Sequence, residues 1–330
     1  MKVKRIFYWL LFFLLLAASA DSLVIKLGTL APEGSPWDKA LRRIAADWSL
    51  LSHGELEVKV YAGGIAGDEP NMVRKLRINQ LQAAAMTGVG LGGIAEGIYA
   101  VQLPLLIRSS EELEYVMDKM EPTLNGMLEE KGFTMLAWYL AGWAHFFSKT
   151  PVIRPDDMKR LKMHVENSIP AIGQAWKQMG FHVVAIPPTE VLPALQSGLV
   201  EAFLLTPLTA AALQWFGAAK NMTALEIAPM LGGIIISQRI WDRIPADLQP
   251  ELLAAVDRQL DALRRETESL EQQALAIMLE NGLKVHPVPA PAEAEWERLV
   301  QEGLELVLGS AIPAEPVEEV RRHLRDYRQR

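Results

Sequence analysis

Along this chain the spacing of apolar positions switches between period two and period 3.6, and the switches mark strands and helices in turn. Residues 23–29 (LVIKLGT) form a short apolar run ending in Gly and Thr. Ser35-Pro36-Trp37-Asp38 then reads as a helix start, with Ser35 as cap, Pro36 at the first position and Asp38 at capping-box spacing. Trp37, Leu41, Ile44, Ala45, Trp48 and Leu51 recur at helical spacing up to Gly54, after which Leu56, Val58 and Val60 alternate with Glu57 and Lys59 as in a half-buried strand. The loop 61–68 (YAGGIAGD) leads to a helix over about 69–78 and a strand over about 81–87. Ser109 and Glu112 form a second capping box, opening a long amphipathic helix that Gly132 ends. Residues 133–139 and 144–149 read as two strands, the second leading out of the first lobe.

A second series follows: strand 162–165, helix 169–179, strand 182–186, helix 189–197, strand 199–203, a helix start at Thr206-Pro207 and a buried strand over 231–237. Alternating strands and helices predict α/β lobes with largely parallel sheets, and two such series predict two lobes with a cleft between them. Residues 246–281 carry one unbroken helical pattern, about 54 Å long at ~1.5 Å per residue. Such a helix can span both lobes. A strand over 285–288 and helices over about 293–308 and 316–328 close the chain. The expected division is 21–145 plus about 232–265 as lobe I, and 146–231 plus about 266–330 as lobe II.

Charge adds an address. Lys2, Lys4 and Arg5 precede the apolar run 6–17 and Ala18-Ser19-Ala20, the pattern of an export signal over residues 1–20, cleaved after Ala20. The run is short for a bilayer span of ~20 residues, which makes a retained anchor the lesser alternative. Of 33 basic residues 30 remain after cleavage against 40 acidic ones, a net charge of −10, which disfavours nucleic acid and anionic surfaces as partners. The chain has no Cys, so it has no disulfides, no thiolate metal site and no Cys nucleophile. The predicted product is a soluble periplasmic protein.

In order and spacing, several segments together resemble one family. They are Leu27-Gly28-Thr29 before Gly34-Ser35-Pro36-Trp37, the loop Tyr61 to Asp68, Leu103-Pro104-Leu105-Leu106, Phe147 to Pro151, Asp157 to Val165, and Pro188-Thr189-Glu190-Val191 with Ala194 to Gly198. The chain resembles the periplasmic solute-binding subunits of tripartite ATP-independent periplasmic (TRAP) transporters, the DctP-like family. The resemblance implies a two-lobe periplasmic-binding-protein fold, capture of a small-molecule ligand, delivery to small and large TRAP membrane subunits, no catalysis and no cofactor.

Two departures bear on the ligand. Where most members of the family carry an Arg that grips a ligand carboxylate, this chain has His164, which lacks the permanent charge and planar fork of Arg. Where they carry polar contacts after the equivalent of Val200, this chain reads Glu201-Ala202-Phe203-Leu204-Leu205-Thr206-Pro207. This version resembles a subgroup thought to take hydrophobic ligands and to work with a periplasmic tetratricopeptide-repeat partner. The expected ligand-binding residues are His164, Thr206, Pro207, Trp143, Trp215, Phe147, Thr87, Met86 and Glu33. Trp138, Tyr139, Phe146 and Phe216 belong to the same aromatic clusters, for which plain core packing is the alternative. An organic acid is the alternative ligand.

Other chemistries have weaker support. Gly88, Gly90 and Gly93 spell Gly-x-Gly-x-x-Gly, but the acids about 20 residues on, Glu111 and Glu112, fall in the first turn of a helix and not at a strand end, as a dinucleotide site needs. The six His show no metal-ligand spacing. An exported hydrolase built on Ser148 and His145 is the reading from a different class; three residues apart on one strand, their side chains point to opposite faces.

Overall fold

The computed structural model describes residues 22–166 and 170–330. The expected export signal lies outside the described residues. The chain opens with β1 (Leu23–Thr29), α1 (Pro36–Leu51) and β2 (Leu56–Tyr61), and β1 and β2 pair in parallel. Ser35 caps α1 as expected, its Oγ accepting from Asp38 N at 3.3 Å, while Asp38 Oδ2 accepts from Gly34 N at 2.8 Å. Next come α2 (Glu69–Arg77), β3 (Ala83–Thr87), the short α3 (Gly88–Gly92), a 3-10 turn (Glu96–Gln102) and α4 (Ser110–Glu129).

β4 (Phe133–Ser148) runs unbroken for 16 residues where two strands were expected. Register shifts between Met135 and Ala137 and between Leu140 and Trp143 absorb the interruption in the apolar pattern, so the strand kinks without ending. Its first part lies in lobe I and its last part in lobe II. The second series is α5 (Pro155–Met158), β5 (Lys162–Val165), α6 (Pro170–Gln178), β6 (His182–Ala185), α7 (Pro188–Ser197), β7 (Ala202–Leu205) and α8 (Pro207–Ala212). β7 starts three residues later than the pattern predicts, because left-handed Gly198 (φ 78) and the exposed Leu199 still belong to the turn. The chain then makes β8 (Asn221–Thr223), β9 (Ala228–Ser237), α9 (Gln238–Trp241), α10 (Gln249–Glu280), β10 (Lys284–His286), α11 (Ala290–Val307) and α12 (Ala314–Arg328).

The sheet order is β2-β1-β3-β9-β4-β7-β5-β6, with β8 joining β4 to β10. Pairing is mixed rather than largely parallel. β4 leaves lobe I and β9 returns to it, so the two are antiparallel to each other, and β3, β7 and β8 pair antiparallel with one or the other. Parallel pairs occupy the flanks, where β-α-β units dictate them.

The long helix α10 does span the lobes. Leu252 and Val256 share a core with Leu27 and Ile44 of lobe I, and Trp48 Nε1 donates to Leu252 O at 3.1 Å. Met278, near its other end, packs with Phe147 and Phe203 of lobe II. The end of the chain departs from the expected division. Trp296 of α11 packs with Phe146 and Phe181 in lobe II, but Val317, Val320 and Leu324 of α12 share the lobe I core with Val116, Met120 and Leu124 of α4. The apolar stripe of α12 matches that of α4, and Arg328 closes the contact through Glu112 at 2.7 and 2.8 Å and Leu106 O at 3.0 Å. Residues 314–328 therefore belong to lobe I rather than lobe II.

Candidate functional site

A cleft of about 790 Å³ lies between the lobes. Strand ends open into it: Thr29 of β1, Thr87 of β3, Val165 of β5 and Leu205 of β7. That is where open α/β sheets bind ligands, because the strands stop and the helices splay there. Leu260 and Leu263 of α10 also line it.

One acid sits on the lobe I wall. Glu69, the first residue of α2 after the Asp68 cap, is fully buried yet borders the cleft. Its Oε1 accepts from Thr87 N at 2.5 Å and its Oε2 from Thr87 Oγ1 at 2.7 Å. Burial and then the charge of Glu166 push its pKa from 4.5 up to about 8, against the opposing hydrogen bonds from Thr87 and Gly90. Glu69 is thus protonated at neutral pH. Tyr99 and Tyr139 flank the same wall and donate to Val89 O and Met86 O, both at 3.1 Å, and burial raises the pKa of both phenols.

The glycines after β3 make room for these side chains. A Cβ on Gly90 would lie 2.6 Å from Glu69 Oε2; on Gly88 it would collide with the Gln102 amide, and on Gly92 with the Tyr99 ring. The Gly-x-Gly pattern therefore serves close packing under the cleft. The Gln102 Nε2 packed over Gly88 has no partner among the described residues.

On the opposite wall His164 of β5 donates from Nε2 to Ile186 O at 3.0 Å, and its ring meets Trp215 edge-on with centroids 6.2 Å apart. A carbonyl can only accept, so Nε2 carries the proton and Nδ1 of the neutral ring is left as an acceptor. Burial holds its pKa below 6.5, with the Ile186 hydrogen bond opposing, so the ring is uncharged at neutral pH. Among the described residues no Lys or Arg lines the cleft.

His164, Trp215, Thr87 and Glu33 of the expected site line the cleft, Glu33 at its exposed mouth with Arg42 3.9 Å away. The others stand behind it. Met86 is fully buried in the lobe I core, and Trp143 packs there with Nε1 donating to Ser110 Oγ at 3.2 Å. Phe147 is stacked on Phe203 at 5.1 Å in the lobe II core. Thr206, also fully buried, caps α8 by accepting from Thr209 N at 3.2 Å, and Pro207 is the first residue of that helix. Trp143 and Phe147 face cores on interior stretches of β4, Met86 stands on β3 between β1 and β9, and Thr206 and Pro207 lie at the buried start of α8.

Sequence reasoning missed Glu69, Glu166, Tyr99, Gln102, Trp37 and Trp176, all of which border the cleft. Glu69 looks like an ordinary first-turn acid beside a helix N-terminus. The available signal was its place directly after the family-like loop 61–68. The Ser148 and His145 pair is not assembled: Ser148 Oγ donates to Thr150 O at 2.7 Å, while His145 Nδ1 is 3.0 Å from Thr223 O, and neither lines the cleft.

Where the chain crosses between lobes, Glu271 of α10 lies over Gly142, whose φ of 121 excludes most side chains and whose Cβ would lie 2.8 Å from Glu271 Oε1. That oxygen is buried without a partner among the described residues. Burial, and then the charge of Glu226, raises the Glu271 pKa to about 7.

Known proteins share this fold. A C4-dicarboxylate-binding periplasmic protein DctP from Rhodobacter capsulatus is 24% identical over 292 residues, 86% of each chain. A TRAP periplasmic solute-binding protein from Desulfovibrio salexigens with bound orotic acid superposes with a TM-score of 0.84 at 19% identity, covering 93% of this chain and 99% of that one. One from Sulfurospirillum deleyianum with bound succinate gives 0.80 at 22% identity, covering 90% and 98%. The family described as bacterial extracellular solute-binding protein, family 7 (DctP) matches residues 27–307, from β1 through the end of α11. Since that span includes both walls of the cleft, the chain belongs to family 7 of the bacterial extracellular solute-binding proteins.

Proposed function

We propose that this chain is the periplasmic solute-binding subunit of a TRAP transporter, and that it captures a hydrophobic or amphipathic small molecule and delivers it to the small and large membrane subunits. The observation that carries the reading is the lining of the cleft. It has no Lys or Arg among the described residues, and at the position of the family's carboxylate grip stands a neutral His164 already engaged with Ile186 O. A buried carboxylate without a paired charge costs at least several kcal/mol, so this cleft disfavours dianions. Apolar surface buried against Trp215, Trp176 and Leu204 instead contributes roughly 25 cal/mol per Å². Capture closes the lobes about the crossings near residues 141–144 and 226–228, with α10 as the brace. A periplasmic tetratricopeptide-repeat partner belongs to the same proposal and rests on the sequence resemblance alone.

The second reading, an organic-acid carrier, is favoured by the relatives named for C4-dicarboxylate, succinate and orotic acid. Native mass spectrometry of protein purified without refolding, with calorimetry against succinate and malate, separates the two. The apolar reading expects a co-purified amphipathic molecule and little dicarboxylate heat. Micromolar succinate binding, undiminished in His164→Ala, overturns it.

A further inference from the structure

The lobe I wall carries an amide that its own packing leaves unused. The 3-10 turn Glu96–Gln102 lies against α3, and its three residues per turn bring Tyr99 and Gln102 onto one side of it. Gly88 and Gly92, four positions apart on α3, share one side of that helix. The two rows meet: the Tyr99 ring covers Gly92 and the Gln102 amide covers Gly88, each where a Cβ on the glycine would collide with it. Tyr99 fastens the turn by donating its hydroxyl proton to Val89 O at 3.1 Å. Gln102 and the Leu103 and Pro104 that follow it border the cleft.

Packing alone does not call for an amide at this position. An unbranched apolar side chain such as Met would cover Gly88 as well and leave no polar atom to satisfy. Gln102 Nε2 is instead buried with no hydrogen-bond partner among the described residues, and a buried donor left unpaired forfeits its hydration without return. Other polar groups of the same wall are committed. Tyr139 donates to Met86 O, and Thr87 Oγ1 donates to Glu69 Oε2. Gln102 contrasts with them at the edge of a cleft, where a ligand can supply the acceptor that the fold does not.

We propose that Gln102 fixes the head of the ligand, its amide N–H donating to an uncharged oxygen, a carbonyl or hydroxyl on an otherwise apolar molecule. The terminal torsion of Gln has a broad profile, so the amide turns its N–H into the cleft while the side chain stays over Gly88. An amide donor supplies direction and no charge. It therefore compensates the desolvation of a neutral oxygen with one hydrogen bond, whereas a buried carboxylate needs a countercharge as well. A hydrocarbon in the same place covers the donor and leaves it unpaired, so the site rejects a ligand that lacks the oxygen. This rests on the reading of the cleft as a site for apolar molecules and names the group by which such a molecule is recognised.

The test is isothermal calorimetry at pH 7 with 2-acetylnaphthalene, 2-ethylnaphthalene and 2-naphthoate, which share a ring system and differ in head group. The wild type should bind the ketone about tenfold tighter than the ethyl compound, and naphthoate weakest. In Gln102→Met, which keeps the cover over Gly88 and removes the donor, that preference should fall to about twofold or less, while 2-ethylnaphthalene binds at least as well as before. A merely structural role for Gln102 would weaken both ligands alike and leave their ratio unchanged. Gln102→Leu serves if the Met variant does not fold, and the wild-type ratio decides without any variant. A wild-type ratio near one, a ratio that survives the substitution, or naphthoate bound as tightly as the ketone overturns the role of Gln102 while leaving the apolar cleft standing. Failure of both uncharged naphthalenes to bind overturns the apolar cleft as well.

Discussion

Replacing Glu69 by Gln should make the protein more stable relative to the wild type as pH rises. The carboxyl is fully buried, and its pKa stands at about 8 in the fold against 4.5 when exposed. A raised pKa means that the folded state holds its proton longer than the unfolded chain does. Stability is then complete below about pH 4.5 and is lost as pH rises through about 8. At about 1.4 kcal/mol per factor of ten in proton affinity, the span from 4.5 to about 8 corresponds to about 5 kcal/mol. Gln resembles the protonated acid in shape. Its carbonyl can accept from Thr87 N and its amide can donate to Thr87 Oγ1, so both contacts survive. Urea denaturation of both proteins at pH 5, 7 and 8.5 measures the difference directly. Glu69→Gln should lie close to the wild type at pH 5 and gain on it by several kcal/mol at pH 8.5. A difference that stays within about 1 kcal/mol across the series would refute the claim that Glu69 is buried and protonated in the fold.

Three further outcomes follow from the same packing. Gly92→Ala places a methyl group in the Tyr99 ring and should cost about 1 to 3 kcal/mol of stability, read by thermal denaturation. Glu271→Gln should flatten the loss of stability that the wild type shows as pH rises from 4.5 through about 7, because its raised pKa has the same sign as that of Glu69; pH-dependent melting checks it. Arg328→Ala removes the hydrogen bonds to Glu112 and Leu106 O. Burial, the largest single influence, raises the Glu112 pKa, but the hydrogen bonds from Arg328 and the Arg108 backbone and the charges of both arginines together outweigh it and the net shift is downward, so the variant should titrate Glu112 at higher pH and lose about 1 kcal/mol. Carbon-detected NMR titration and denaturation read the two effects.

Local signals carried most of the elements. Ser35, Ser109 and Thr206 each cap the helix that the sequence implied, since a cap depends only on a residue and the backbone three positions on; Asp68 caps α2 in the same way. The unbroken stripe behind α10 likewise specified one long helix. Period alone was blind to pairing. Whether 133–139 and 144–149 were two strands or one depended on β9 and β7 lying alongside, and those partners come from 54 to 104 positions further on. The mixed sheet has the same origin, because strand direction is set by which lobe the chain is leaving.

The site divides the same way. The chain itself showed His164 in place of an Arg and an apolar segment before Thr206, and these are facts of residue type that no fold can alter. Which aromatics face the ligand was decided only by tertiary structure. Phe147 and Trp143 sit on interior stretches of β4 and pack into cores, whereas Tyr139 and Phe146 on the same strand reach the cleft. The protonation of Glu69 is likewise a property of the assembled fold. In sequence it is a helix-start acid that should be ionised; in the fold, burial beside Thr87 removes it from water, and the like charge of Glu166 adds to that in reversing the preference.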